Sequence, residues 1–418
     1  MQHIQPTMKP KLILCLTLFV SGTLSSCFNL HAETTSDVRG VVAGNTGFAV
    51  DLYDKLRTGE GNVFFSPYSI STALAMTYGG ARGETAKQMA QTLRFSLPAD
   101  DLHPAFAAMD AGLNSIQMHG PIQLSIANSL WPQSGFAFRP DYLALCQKYY
   151  DTSIHSVDFT GHPEAARKKI NDWVEAKTNH KIVELLKPGM VNDARLVLVD
   201  AIYFNGNWAY PFETNLTEDE PFHVSQASTI TALTMRQTHE FGYAEFPDLQ
   251  VLELPYASDE LSMVVLLPRT VDGVGKLEAQ LTAQNLTSWT ANLASCKVEV
   301  HLPKFTTTFE FLLADTLASM GMPDAFTFGQ ADFSGMDGQR DLFISQVIHK
   351  AHVKVDEEGT EADAATVIDV TNGGVPMHLS PIPVFRADHP FLFLIRDNRT
   401  GSILFLGRIT NPTGSGNP

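Results

Sequence analysis

The chain has 418 residues, with 45 acidic against 29 basic side chains, a formal net charge of −16 and 44% hydrophobic residues, 26 of them Phe. A balance that acidic excludes a surface built to neutralise phosphates, so nucleic acid is not an expected partner. The apolar content supports a large packed core, and the length allows one large domain as well as two average ones.

Residues 1–26 read as an export signal. Lys9 and Lys11 precede an apolar run from Leu12 to Val20, which is too short to span a membrane. Leu24-Ser25-Ser26-Cys27 then resembles the lipobox of bacterial lipoproteins. That resemblance implies a lipid on Cys27 and a chain anchored at a membrane, in the periplasm or on the cell surface. Plain cleavage after Ala32, leaving a secreted chain, is the alternative. Residues 27–40 are polar and read as a flexible tether. Beyond Cys15 and Cys27 only Cys146 and Cys296 remain, each among apolar neighbours, so both read as small buried hydrophobes. A disulfide between them stays open, but no disulfide framework holds the fold.

The body then runs as follows. Apolar spacing from Val41 to Leu56 predicts a helix. Val63 to Phe65 is a short strand, and Pro67 suits the first turn of a second helix with Ile70, Ala73, Leu74 and Thr77 on its buried face. Gly79-Gly80 ends it, and Thr85 to Leu93 is a third. Ile122 to Trp131 alternates as a strand, Pro140 to Tyr150 is helical, and Ala165 to Leu186 is amphipathic. Leu196 to Phe212 is a near-continuous apolar run, the mark of a central strand covered on both faces. Val251 to Tyr256 and Leu261 to Pro268 are strands, Val274 to Thr290 is mostly helical, and Lys297 to Lys304 is a strand. Phe311 to Met320 is a helix, and Leu342 to Lys354 passes from helix to strand. Phe391 to Ile395 and Ile403 to Leu406 close the chain as a hairpin.

Between the last of these elements lies the stretch with the most information. From Thr360, alternate residues are Thr360, Ala362, Ala364, Thr366, Ile368 and Val370, all small or apolar. The interleaved Glu361, Asp363, Ala365, Val367, Asp369 and Thr371 are mostly polar, so the period is that of a half-buried strand. Yet Gly359 precedes it, Asn372-Gly373-Gly374-Val375-Pro376 breaks it, and Pro381 and Pro383 forbid a central strand beyond. Composition alone would read as disorder. The alternation reads as a loop built to enter a sheet.

Enzyme constellations are missing. There is no Gly-x-Ser-x-Gly, His-Glu-x-x-His, Cys-x-x-Cys or Gly-x-x-x-x-Gly-Lys. His349 and His352 are three apart in a strand, on opposite faces, and do not make a metal pair. No metal or cofactor is implied.

Glu357-Glu-Gly-Thr-Glu-Ala-Asp-Ala-Ala-Thr366 resembles the hinge of the reactive-centre loop of serpins, the suicide inhibitors of proteases. Asn62 to Thr85, Ile170 to Thr178, Leu196 to Phe212, Phe385 to Ile395 and Gly401 to Arg408 are similar to that family too, in the same order, so the resemblance covers residues 41–412. It implies an α+β fold with three β-sheets, a large central sheet, eight to nine helices and one domain. The exposed loop would occupy 356–389, with a short tail over 413–418. The hinge is Glu357, Glu358, Gly359, Thr360, Glu361, Ala362, Asp363, Ala364, Ala365 and Thr366. Trp208 and Lys304 mark where the loop enters the sheet, Lys304 as the partner of Glu357. Ser66, Ser69, Asp200 and His349 form a polar cluster under the sheet. Ser66 also reads simply as an N-cap, and both can hold. The family usually has Asn where Asp200 stands and Gly where His180 stands. Counting from the hinge puts the scissile bond between Gly373 and Gly374, within a window of Asn372, Val375 and Met377, whereas counting back from Pro390 points nearer Leu379-Ser380.

The resemblance implies an irreversible inhibitor of a serine protease, acting as a monomer, with a cysteine protease as a second candidate target. No Arg or Lys lies between Gly359 and Arg386, so the target prefers small or apolar residues and is not trypsin-like. Within the same fold the rival is a non-inhibitory binding protein or substrate decoy. A hydrolase using Asp200, His349 and Ser66 is the third reading, discounted because a cluster under a sheet gives substrate no access.

Overall fold

A computed structural model describes residues 35–59, 61–119, 122–152, 154–360 and 381–414. Helix α1 (Ser36–Leu56) starts five residues before its expected position. Thr35 caps it by accepting from the Val38 N–H, and Asp37 sits in its first turn, so part of the expected tether is helix. Strand β1 (Val63–Phe65) leads to α2 (Pro67–Gly80), which buries every residue but Tyr78 and Gly79. Then come α3 (Gly83–Thr92) and α4 (Ala99–His119). No element is predicted for the α4 stretch, where Pro104 interrupts the helical pattern from inside.

Strand β2 (Ile122–Pro132) is followed by α5 (Pro140–Tyr150) and α6 (Pro163–Lys177). Helix α6 stops well short of Leu186 because Asn179 and His180 both take positive φ, at 50° and 59°. Strand β3 (Leu196–Asn207) is buried along almost its whole length. There follow β4 (Glu218–Ser225), β5 (Ser228–Glu245), β6 (Leu249–Pro255), β7 (Leu261–Pro268), α7 (Val274–Ala279) and α8 (Ala283–Ala291). A new cap, Thr282, splits the expected single helix into these last two. Then come β8 (Ala294–Pro303), β9 (Phe305–Leu312) and α9 (Ala314–Met320), so Phe311 and Leu312 are strand, not helix. The single turn α10 (Ser334–Asp337) precedes β10 (Gln346–Val355), and residues 342–345 carry no helix. Last are β11 (Gly359–Thr360), β12 (Val384–Arg386), β13 (Phe391–Asp397) and β14 (Ile403–Ile409).

The described strands form two hydrogen-bonded sheets, not three. The larger has nine strands in the order β1-β14-β13-β7-β6-β5-β8-β12, with β4 on β5. It is one sheet because β5, at 18 residues, bonds β4 at its start and β6 at its end. The smaller sheet runs β2-β3-β10-β9, with β11 against the end of β3. Ten α-helices are described, above the expected eight to nine, because α7, α8 and α10 are short separate pieces.

The smaller sheet is covered on both faces. Val197, Val199, Ala201 and Ile348 pack with Ile170 and Val174 of α6 on one side, while Leu198, Ile202 and Phe204 join the cores shared with α2 and the larger sheet. Double coverage is why β3 reads as a continuous apolar run. Cys146 is buried and Cys296 partly exposed, and the two do not pair.

Candidate functional site

Strands β3 and β10 are parallel neighbours, in register from Val197↔Gln346 to Tyr203↔His352. Above that point they part. Gly359 and Thr360 occupy the gap, antiparallel to β3, with Gly359↔Asn207 and Thr360↔Gly206. The sheet is therefore closed for most of its length and has begun to accept another strand at its upper end.

The hinge turn is held by several independent bonds. The Asp356 N–H donates to Gly359 O at 2.9 Å and the Gly359 N–H to Asp356 O at 3.3 Å. Trp208 donates its backbone N–H to Glu358 O and its indole N–H to Asp356 O, each at 2.9 Å. Glu357 is 6% exposed. Its carboxylate accepts from Lys304 Nζ at 2.5 Å and from Thr217 Oγ1 at 2.8 Å. Burial works to raise the Glu357 pKa, but Lys304, its own backbone N–H and Thr217 hold it below the ordinary carboxylate value. A group with a lowered folded pKa stabilises fully above its unfolded value, near pH ~4.3, and loses that contribution as pH falls through the folded value. The Trp208 indole N–H resonance should thus shift on acidification below about pH 4. In Glu357→Gln that acid-dependent shift should vanish.

Gly359 has φ +139°, and a Cβ there would lie 2.2 Å from Gly206 O and 2.6 Å from Asn207 Cα. Both are backbone atoms that cannot swing aside, so only glycine fits this turn. Gly359→Ala should unpair β11 at a cost of about 1–3 kcal/mol. Hydrogen exchange at the Trp208 backbone N–H should accelerate roughly 5- to 150-fold, 1.4 kcal/mol being about tenfold.

Lower in the sheet, Asn128, Asp200 and His349 lie in one row across β2, β3 and β10. Ser66 and Ser69 face them from the start of α2, and Ser66, Ser69, Asp200 and His349 are all 0% exposed. The Ser66 N–H donates to His349 Nε2 at 3.1 Å, which makes Nδ1 the protonated nitrogen, donating to Asp200 Oδ2 at 2.9 Å. The Ser69 hydroxyl donates to Asp200 Oδ1. Asn128 Nδ2 donates to Ser69 O at 3.2 Å. Ser66 Oγ accepts from the Ser69 N–H at 3.1 Å and donates to Leu404 O at 2.6 Å. Ser66 is thus both a helix cap and a member of the cluster.

This arrangement cannot run acyl transfer. The only lone pair on the His349 ring is taken by a backbone N–H, so it cannot accept a hydroxyl proton. The Ser66 proton already points at a backbone carbonyl, and no substrate reaches a fully buried group. What the cluster can do is tie β2, β3, β10 and α2 together where β3 and β10 would have to separate.

The structure brings together Ser66, Ser69, Asp200 and His349, and separately Trp208, Lys304, Glu357, Glu358 and Gly359. Glu361, Ala362, Asp363, Ala364, Ala365 and Thr366 of the hinge, the reactive-bond residues Asn372, Gly373, Gly374, Val375 and Met377, and Cys27 lie outside the described residues. Sequence reasoning missed Asn128 and Thr217. An amide in an otherwise apolar alternation was the available signal for Asn128. Nothing local marks Thr217. Among the described residues no helix is long and apolar enough to cross a membrane, and no group of three or more His, Cys, Asp or Glu could hold a metal.

A sheet covered on both faces, with Gly359 and Thr360 entering at its open end, is shared with a known class of protein. The serpin (serine protease inhibitor) family pattern matches residues 43–412, and the chain belongs to that family, whose members are not enzymes. It is 45% identical over 379 residues to the leukocyte elastase inhibitor of Equus caballus, covering 88% of this chain and 98% of that one. With the leukocyte elastase inhibitor of Homo sapiens it shares 44% over 381 residues, covering 88% and 99%. Uncleaved ovalbumin superposes with a TM-score of 0.80 at 31% identity, covering 89% of this chain and 100% of that chain. These relatives give no support to the bacterial, lipoprotein-type part of the expectation.

Proposed function

We propose that this serpin traps a serine protease by offering residues 356–389 as bait. The protease serine attacks the Gly373 carbonyl, the bond to Gly374 breaks, and the new amine leaves on the C-terminal side. The acyl-enzyme remains attached to the hinge. The freed loop then enters between β3 and β10 as an antiparallel strand and carries the protease with it, distorting its active site before water can cleave the ester.

The register of β11 carries this reading. Continued downward from Thr360↔Gly206, it sets Ala362 opposite Phe204, Ala364 opposite Ile202, Thr366 opposite Asp200 and Ile368 opposite Leu198. Directly opposed residues share a face, so the small and apolar set lands on the core side. Thr366 arrives where Asp200 loses His349. Val370 reaches Leu196, the first residue of β3, so the inserting strand ends just before Gly373. That agrees with the hinge count of the scissile bond over the count from Pro390. Asp363 falls opposite Tyr203, whose ring has Lys181 Nζ 5.5 Å from its centroid, a ready counter-charge. Ala365, Val367 and Asp369 fall opposite Ala201, Val199 and Val197, beneath α6, so α6 must lift as the strand enters.

The target is an elastase-like protease, or one of similar small-residue preference, as the names of the relatives and the loop's lack of Arg and Lys support. A cysteine protease is a second candidate. In the same proposal the chain is a monomer, exported, and lipid-anchored through Cys27; mass spectrometry of the mature N-terminus tests that part. The test of function is incubation of residues 28–418 with elastase-, chymotrypsin-, subtilisin- and trypsin-like enzymes. An SDS-stable band at the summed mass, with a released peptide starting at Gly374, is the expected result. Clean cutting that leaves every protease active would mean a non-inhibitory decoy instead.

A further inference from the structure

Among the described strands β12 pairs with β8 alone, in parallel register from Val384↔Glu299 to Arg386↔His301. A three-residue edge strand is weakly held by its backbone, so its side chains matter. They meet around one imidazole. His301 is 1% exposed. Glu220 Oε1 of β4 lies 3.1 Å from its Nδ1. Its Nε2 has two neighbours, Arg386 Nη2 of β12 and Glu299 Oε1 of β8, each at 3.0 Å. Arg386 also donates from Nη1 to Glu220 Oε2 at 2.5 Å. Arg236 of β5 stands 3.9 Å from Glu220 and 3.5 Å from Glu218. The ring is thus faced by charge from β4, β5, β8 and β12.

Nε2 can satisfy only one of its two neighbours, because a guanidinium only donates and a carboxylate only accepts. In the neutral ring Nδ1–H donates to Glu220 and the Nε2 lone pair accepts from Arg386, leaving Glu299 facing a lone pair. In the protonated ring Nε2–H donates to Glu299, and Arg386 Nη2 faces another donor. The group left over turns to water at small cost in either state, since the side chains of Glu299 and Arg386 are 40% and 42% exposed.

We infer that His301 is a proton-operated clasp on β12 and so a positioning residue for the C-terminal end of residues 356–389. Neutral, it ties Arg386 of β12 to the sheet. Protonated, it turns the same nitrogen to Glu299 on its own strand and releases Arg386. Histidine is the side chain whose charge ordinarily changes between pH 5 and 8, a range in which carboxylates and guanidinium groups ordinarily keep theirs. A loosened β12 would present the bait less firmly; that consequence rests on the trapping mechanism proposed above, whereas the clasp itself does not.

Hydrogen exchange of the full chain tests the clasp without any protease. The reporter is the Ala387 N–H, which donates to His301 O at 2.9 Å where β12 ends. Corrected for the intrinsic exchange rate, its protection should fall about tenfold from pH 8 to pH 5, the loss of one charge-assisted hydrogen bond. In His301→Gln the side-chain oxygen still accepts from Arg386 and the amide still donates to Glu220, so protection should stay near its pH 8 value throughout. Arg386→Leu, at a part-exposed site, should show the low value at both pH values. Two other histidines stand near: the His223 N–H donates to Asp388 O at 2.7 Å, and His389 Nδ1 lies 2.7 Å from Asp388 Oδ1. His223→Gln should leave the fall in place. A flat profile in the wild type, a rise toward pH 5, or an undiminished fall in His301→Gln or Arg386→Leu would overturn the assignment.

Discussion

On the trapping mechanism proposed above, Ala364→Arg should convert the protein from an inhibitor into a substrate. Continued register puts residue 364 opposite Ile202, which is 0% exposed. Seating an unpaired guanidinium there costs several kcal/mol. In that mechanism insertion would race hydrolysis of the acyl-enzyme, and every 1.4 kcal/mol added to the insertion barrier slows it about tenfold. With a barrier rise of about 3 kcal/mol the trap loses by roughly a hundredfold. The stoichiometry of inhibition should rise from near one to far above ten, on the order of that slowing, and the SDS-stable band should disappear. Glu361→Lys, opposite the half-buried Asn205 on the other face, should still trap. A thermal scan separates insertion from cutting. Cleaved wild-type protein gains a full strand of hydrogen bonds at about 1 kcal/mol each and should melt about 20 °C higher or more, whereas cleaved Ala364→Arg should not. Full trapping by Ala364→Arg would remove the insertion step from the mechanism.

The second large effect is expected at Asp200. In Asp200→Ala the Nδ1–H of His349 loses its acceptor at 0% exposure, and the Ser69 hydroxyl is left with Asn128 Oδ1, at 3.1 Å, alone. Stranding buried donors of this kind costs about 3–5 kcal/mol. The loss falls on a polar row that crosses β2, β3 and β10, so the sheet itself should loosen. Thermal unfolding should drop by roughly 3–6 °C, at about 1 °C per kcal/mol for a chain of this size. Asp200→Asn retains one acceptor and adds a donor toward Ser69 or Asn128, and should cost less than about 1.5 kcal/mol. An Asp200→Ala protein as stable as wild type would show that the cluster holds nothing.

Much of this was readable from the chain alone, because some properties are local. A period of two marks Thr360 to Val370 as a strand in waiting whatever surrounds it. Gly359 declares a backbone freedom, Pro67 after Ser66 declares a helix start, and the apolar residues over Leu196 to Phe204, broken only by Asp200, declare burial on both faces. Other properties are set by contacts distant in sequence. That β5 fuses two expected sheets into one depends on which strands lie along its two ends, and no residue of β5 records it. That His349 spends its lone pair on the Ser66 N–H, and so cannot be a base, depends on a helix start 283 positions away. Thr217 and Asn128 acquire meaning only when other elements arrive beside them. The alternation of side chains belongs to the sequence because it follows from the pleat. Which face, which register and which partner were settled only when packing brought β3, β10 and α2 together.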